Sequence, residues 1–220
     1  MEKKNQFYKL RGDDVINTFG IKRVKQCKIL SDWLDAYYDL DIFELNTLDK
    51  ALTRYESLAT GWNEEELKMH FISPILTVAD TNIDNICKTY FERPLSGFLN
   101  EYYINVVTDC MIAQPKLAGD PDKPYFFLQE FKQSQRFGRT DPQGQMLAAM
   151  LLAQQINNDK NPLYGCYVID RNWFFTTLLG LDYCVSQQFN STQKADLLQI
   201  VSILIKLKEL ILARTMQIVE

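Results

Sequence analysis

The sequence predicts an α/β fold on a mixed sheet, in the order helix, three strands, helix and strand pair, framed by N-terminal and C-terminal helices. Three observations predict it. Asn63-Glu64 opens a stretch that places Leu67, Phe71 and Ile75 at i, i+4 and i+8, one face of a helix. Residues 89 to 132 then turn rich in β-branched and aromatic side chains, punctuated by turn residues. Asp141-Pro142 is a strong helix start, and the apolar runs that follow Pro162 are split by Asp170-Arg171-Asn172, a hairpin pattern.

Taken in order, residues 13 to 59 are expected to be mainly helical. Ser31-Asp32 is the expected cap of a helix carrying Trp33, Leu34, Tyr37 and Tyr38, and Thr47 that of another through Leu48, Leu52 and Leu58. Thr60-Gly61 breaks the segment, and Asn63 suits the N-cap of the next helix. Two strands follow, 89–98 and 102–112, turning near Asn100; Pro94 makes the first an edge or bulged strand. Gln114 to Pro124 is dense in Pro, Gly and Asp and joins them hairpin-fashion to the aromatic run Tyr125 to Gln129. A helix over 142–156, strands over 163–169 and 173–178, and a long helix from Thr192 to about Ile218 complete the chain. The last helix spaces Leu197, Ile200, Leu204, Leu207 and Ile211 by threes and fours, a stripe expected to pack on the core; a homo-oligomer or protein partner docked through it is the other use. The expected division is 1–60 as a helical extension, 61–180 as the α/β core and 181–220 as the C-terminal helix.

Composition narrows the function classes. Five cysteines, odd in number and without a C-x-x-C, suit reduced thiols and not a disulfide framework or zinc site. No apolar h-region follows Met1 and no apolar stretch reaches spanning length, so a cytoplasmic protein without a membrane is expected. The single histidine, His70, sits among Met69, Phe71 and Ile72 and suits packing; Ser-His-Asp chemistry and His-rich metal sites are disfavoured. Phosphate-binding glycine loops are absent. Net charge is −4, but residues 1–28 carry eight basic against three acidic residues, and Lys132, Arg136 and Arg139 form a second basic spot.

The candidate chemistry lies where the aromatic run ends in Glu130-Phe131-Lys132. Alternation along a strand puts Glu130 and Lys132 on one face, and an antiparallel partner over 102–112 brings Asp109 close to both. Two desolvated carboxylates call for a counter-charge, and a divalent cation such as Mg²⁺ is the natural one. The competing interpretation is an ion pair that closes an edge of the sheet.

At these positions the chain resembles the PD-(D/E)XK phosphodiesterase superfamily, the restriction-endonuclease-like fold. Asp109 matches its first acid, Glu130 the second and Lys132 the lysine. Glu64, ahead of Phe71-Ile72-Ser73-Pro74-Ile75-Leu76, resembles the helical acid in nuclease domains of type I restriction enzymes; Glu65 and Glu66 are alternatives in the same turn. Gln145 matches a glutamine that several branches carry, although an ordinary first-turn residue would look the same, and the tyrosine usually found downstream is missing. The resemblance covers about residues 60 to 180. It implies a metal-dependent nuclease acting on DNA, with Mg²⁺ or Mn²⁺ held by Asp109, Glu130, the Phe131 carbonyl and Glu64. Lys132 and Gln145 would handle the attacking water. The alternative is a non-catalytic interaction module on the same scaffold.

Overall fold

Nine strands, counted among the described residues, form the middle layer of the protein in one mixed sheet. The computed structural model describes residues 5–7, 9–132 and 141–216. The strands are β1 (Asn5–Gln6), β2 (Lys22–Arg23), β3 (Lys88–Leu99), β4 (Tyr102–Pro115), β5 (Pro121–Lys132), β6 (Leu163–Ile169), β7 (Asn172–Leu179), β8 (Asp182–Val185) and β9 (Phe189–Asn190). The helices are α1 (Gly12–Phe19), α2 (Lys28–Leu34), α3 (Ile42–Leu58), α4 (Glu64–Leu67), α5 (Ser73–Ala79), α6 (Pro142–Asn157) and α7 (Lys194–Met216), with a π-turn at Lys68–Ile72 joining α4 to α5.

The long strands run β3-β4-β5-β6-β7-β8, with β2 beyond β8 and β1 and β9 beside β4 and β7. All neighbours in that run are antiparallel except β5 and β6, which are parallel and therefore need the α6 crossover between them. Apolar residues line both faces. One face carries Cys110, Phe127, Phe131, Val168 and Phe175 against α2, α3, α5 and α7. The other carries Met111, Leu128, Tyr167 and Tyr183 against α1 and α6. Helix α6 is buried almost all round from Met146 to Ala153 because the sheet lies under it and α1 beside it. Its close approach to the N-terminal segment needs a glycine: a Cβ on Gly144 would lie 2.4 Å from the Leu10 carbonyl oxygen.

The helix-strand order and both hairpin turns agree with the sequence. Asn100 and Asp170 take positive φ there, conformations that Asn and Asp tolerate best among residues with a side chain. Asn63 caps α4 in a reciprocal box with Glu66, and Asp141 caps α6. The stripe of α7 is buried within the chain, as expected of core packing. Five expectations need correction. α2 begins at Lys28 and ends at Leu34, so Ser31 lies inside it, its hydroxyl bonded back to the Lys28 carbonyl at 3.0 Å, and Tyr37 and Tyr38 lie beyond it. Thr47 likewise bonds back to the Phe43 carbonyl at 2.8 Å; the cap of α3 is Asp41, boxed with Glu44. Thr192 donates to Asn190 Oδ1 at 2.8 Å, and the Leu197 N–H instead reaches the Gln193 carbonyl. β4 and β5 extend into the Pro-rich stretch, leaving only residues 116–120 as the turn. The segments 1–60 and 181–220 hold β1, β2, β8 and β9 besides helices. No helix of the described residues is long and apolar enough to cross a membrane.

Candidate functional site

The β4–β5 ladder stops at the pair Cys110 and Gln129. The next residues on the two strands are Asp109 and Glu130. Past the ladder's end a side chain replaces the missing backbone partner: Asp109 Oδ2 accepts the Phe131 N–H at 2.6 Å. Glu130 is 1% exposed and Asp109 8% exposed. Glu130 Oε1 has no hydrogen-bond partner among the described residues. Burial, and then the charge of Asp109, hold the Glu130 carboxyl well above the usual carboxylate range; Lys132 and Lys68 pull the other way.

Two ammonium groups meet these acids. Lys132 Nζ donates to Glu64 Oε1 at 3.2 Å, which joins the end of β5 to the first turn of α4. Lys68 Nζ donates to Asp109 Oδ1 at 2.7 Å and lies within 3.2 Å of both Glu65 and Glu92 and 3.6 Å of Glu64. Burial alone would depress the Lys68 ammonium, but the hydrogen bond and charge of Asp109 outweigh it and hold its pKa above its usual range. Lys68 lies one helical turn after Glu64 on the same face, and the π-turn begins at that residue. Glu92 reaches the same ammonium from β3, where it sits at φ +50° at the point where the β3–β4 ladder skips the pair of residues 92 and 109.

The structure thus brings Asp109 from the middle of β4, Glu130 and Lys132 from the end of β5, and Glu64 from α4 to the place where the β4–β5 ladder stops. It also separates the three acids of α4. Glu64 faces Lys132, Glu65 touches Lys68 from an exposed position, and Glu66 is used in the cap, where it accepts the Asn63 N–H at 2.7 Å. The Phe131 backbone lies against Asp109. Gln145 stands in the first turn of α6 with its Oε1 buried and without a hydrogen-bond partner among the described residues. No hydrogen bond joins it to Asp109, Glu130 or Lys132 among the described residues. Arg136 and Arg139 lie outside the described residues. His70 packs its ring on Trp62 at 5.3 Å, a packing role as expected.

Two contributors escape the sequence pattern, Lys68 and Glu92. Lys68 follows Glu64 by four residues, a spacing typical of a solvated helix pair, and its partner Asp109 lies on another strand. Glu92 is signalled weakly, through the register that sets it opposite Asp109. Among the described residues no group of three or more His, Cys, Asp or Glu side chains is arranged to hold a metal ion. An ammonium, that of Lys68, lies among Asp109, Glu64, Glu65 and Glu92. Glu130 Oε1 and Gln145 Oε1 are buried oxygens with no hydrogen-bond partner among the described residues, and oxygens of these types are the donors that hard cations take. Neither the known protein families nor the curated proteins contain a match to this chain.

Proposed function

We propose that the protein is a metal-dependent, nuclease-like phosphodiesterase acting on DNA, built on a restriction-endonuclease-like core of the PD-(D/E)XK kind. One observation carries this. Glu130 is a fully buried acid with an orphaned oxygen, next to Asp109 where two strands part. Burying a carboxylate without full compensation is costly, so a structural role alone explains it poorly. Asp109, Glu130 and the Phe131 carbonyl would hold Mg²⁺ or Mn²⁺, with Glu64 assisting directly or through water. Such an ion supplies Lewis-acid polarisation of the scissile phosphate and a more acidic bound water.

The chain's own groups then have separable tasks. Lys132, on the same strand face as Glu130, orients the attacking water by donating to it, and Glu64 at 3.2 Å holds the ammonium in reach. Asp109 fixes the Phe131 backbone and so the path of β5 beside the reacting atoms. Gln145 has a free buried oxygen with which to position a water or the phosphate-bound water network.

A second proposal, a non-catalytic module on the same scaffold, is favoured by Lys68. Its ammonium already neutralises Asp109, so the cluster can be read as a finished ion network. Cleavage separates the two. With Mn²⁺ the purified protein should cut DNA, and Lys132→Ala should lower the rate by at least ~10²-fold, the scale of one general acid–base contribution. Lys132→Ala leaves both buried acids in place, so the loss would report water activation. Absence of cleavage on single-stranded and duplex DNA, or cleavage that Lys132→Ala does not change, would favour the module.

A further inference from the structure

A pocket of about 220 Å³ opens beside the acids, between the π-turn and α5 on one side and β3 on the other. Its walls are apolar: Met69, Ile72 and Leu76 from the helical side, Phe91 from β3 and Phe131 from β5. Asp109 and Lys68 also line it, so whatever fills it sits beside the proposed scissile phosphate. Phe91 is 52% exposed and Met69 67% exposed, two large apolar side chains facing the same opening.

The charge pattern says what kind of group fits. Glu65, Glu92 and Asp109 outnumber Lys68 around the pocket, which disfavours a phosphate inside it. A flat neutral ring with N–H donors suits it better. The ring would lie on Phe91 and Met69, and Glu65 and Glu92 at the rim accept from an exocyclic amino group. Both walls are also built on backbone irregularities: the π-turn places Lys68 and Met69, and Glu92 holds a positive φ without being glycine. Such conformations cost free energy and persist chiefly where a site requires them.

We infer that this pocket receives one unpaired nucleobase bearing an exocyclic amino group, next to the phosphate at Asp109, so that the substrate is single-stranded or frayed DNA. This rests on the nuclease proposal above. A base paired within a duplex cannot enter, because it would first have to leave the stack.

Binding measured without turnover tests it. Lys132→Ala protein with Mn²⁺ is titrated, by fluorescence polarisation, into a labelled single-stranded 12-mer and into the same 12-mer as a duplex. The single strand should bind at least tenfold more tightly. Adding Phe91→Ala should weaken single-strand binding about 5- to 100-fold, the scale of one lost base–aromatic stack, and leave duplex binding within about twofold. Phe91→Trp should restore it. Equal affinity for the two DNA forms, or a single-strand affinity that Phe91→Ala leaves unchanged, overturns the inference. Phe91 lies half exposed on an edge strand, so the substitution spares the fold; circular dichroism of each variant checks that. The nuclease proposal fails separately: if the wild-type protein cuts nothing while the Phe91-dependent preference persists, the pocket stands as a base-binding site and the cleavage chemistry does not.

Discussion

Asp141 and Glu130 are both acids that flank the sheet-to-helix crossover, and the structure treats them in opposite ways. Asp141 is saturated. Its carboxylate accepts the Gly144 N–H at 2.6 Å and the Gly12 N–H at 3.1–3.2 Å, while its own N–H reaches the Leu10 carbonyl at 2.9 Å. It caps α6 and fastens the N-terminal segment to it with one side chain. Glu130 is more deeply buried and has an oxygen with no partner among the described residues. The chain can satisfy a carboxylate when the role is structural, as Asp141 shows, and again Asp159, which meets Arg214 at 2.6 Å. Among the buried unpartnered atoms of the described residues, which include the Gln129 amide and Trp173 Nε1, Glu130 Oε1 is the one that belongs to a carboxyl.

The contrast breaks most visibly in stability. Asp141→Ala should lower unfolding free energy by about 3 kcal/mol in urea denaturation, since a helix cap and charge-assisted bonds to two backbone N–H groups are lost together. Glu130→Gln replaces a buried carboxyl that has no full set of partners with a neutral amide of the same shape, and should leave stability within about 1 kcal/mol of wild type, or raise it. If Glu130→Gln costs as much as Asp141→Ala, Glu130 is a structural acid and the comparison fails.

Lys68→Met sharpens it by removing the cation nearest to Asp109. Without metal, the variant should lose about 2 kcal/mol, because Asp109 is left buried without its ammonium. Mn²⁺ should recover part of that loss, and its stabilising effect should exceed the effect on wild type, since no ammonium competes for the acids. A smaller Mn²⁺ effect in Lys68→Met would mean that Lys68 assists the metal instead of standing in for it.

The smallest effect concerns the finished pair. Burial alone would raise the Asp159 carboxyl, but the Asn161 N–H and then Arg214 outweigh it and hold it below its ordinary value of 3.8. A depressed pKa means stability that is present above pH 3.8 and is lost as pH falls through the lower folded value. Asp159→Asn should therefore cost about 1 kcal/mol at neutral pH, and its penalty should shrink on acidification below that point. A penalty independent of pH would show that the bond to Arg214 depends on shape and not on charge.

Much of this was legible in the residues because it depends on local rules. Asp141-Pro142 and Asn63 announce their helices, and strand alternation alone aligns Glu130 with Lys132. Asp109 could be paired with them because the Pro- and Gly-rich stretch after Gln114 forces a hairpin. The Asp41-x-x-Glu44 box was equally legible, and Thr47 was the weaker signal because threonine also back-bonds inside helices. Lys68 was not legible. Its i,i+4 spacing from Glu64 looks like an ordinary surface pair, and its contact with Asp109 comes from a strand 41 residues away. β1 and β2 are two residues each and exist only through their partners, β4 and β8, so no local pattern marks them.

Metal binding by Asp109 and Glu130 is the point on which the account turns, and thermal unfolding with and without Mn²⁺ tests it most directly. At about a hundredfold excess over the dissociation constant, preferential binding to the folded state is worth about 2.7 kcal/mol, or roughly 5–10 °C in Tm for a chain of this size. Wild type should show that rise, and Asp109→Asn combined with Glu130→Gln should remain folded and show none. An equal rise in the double variant would place the cation elsewhere and contradict the account.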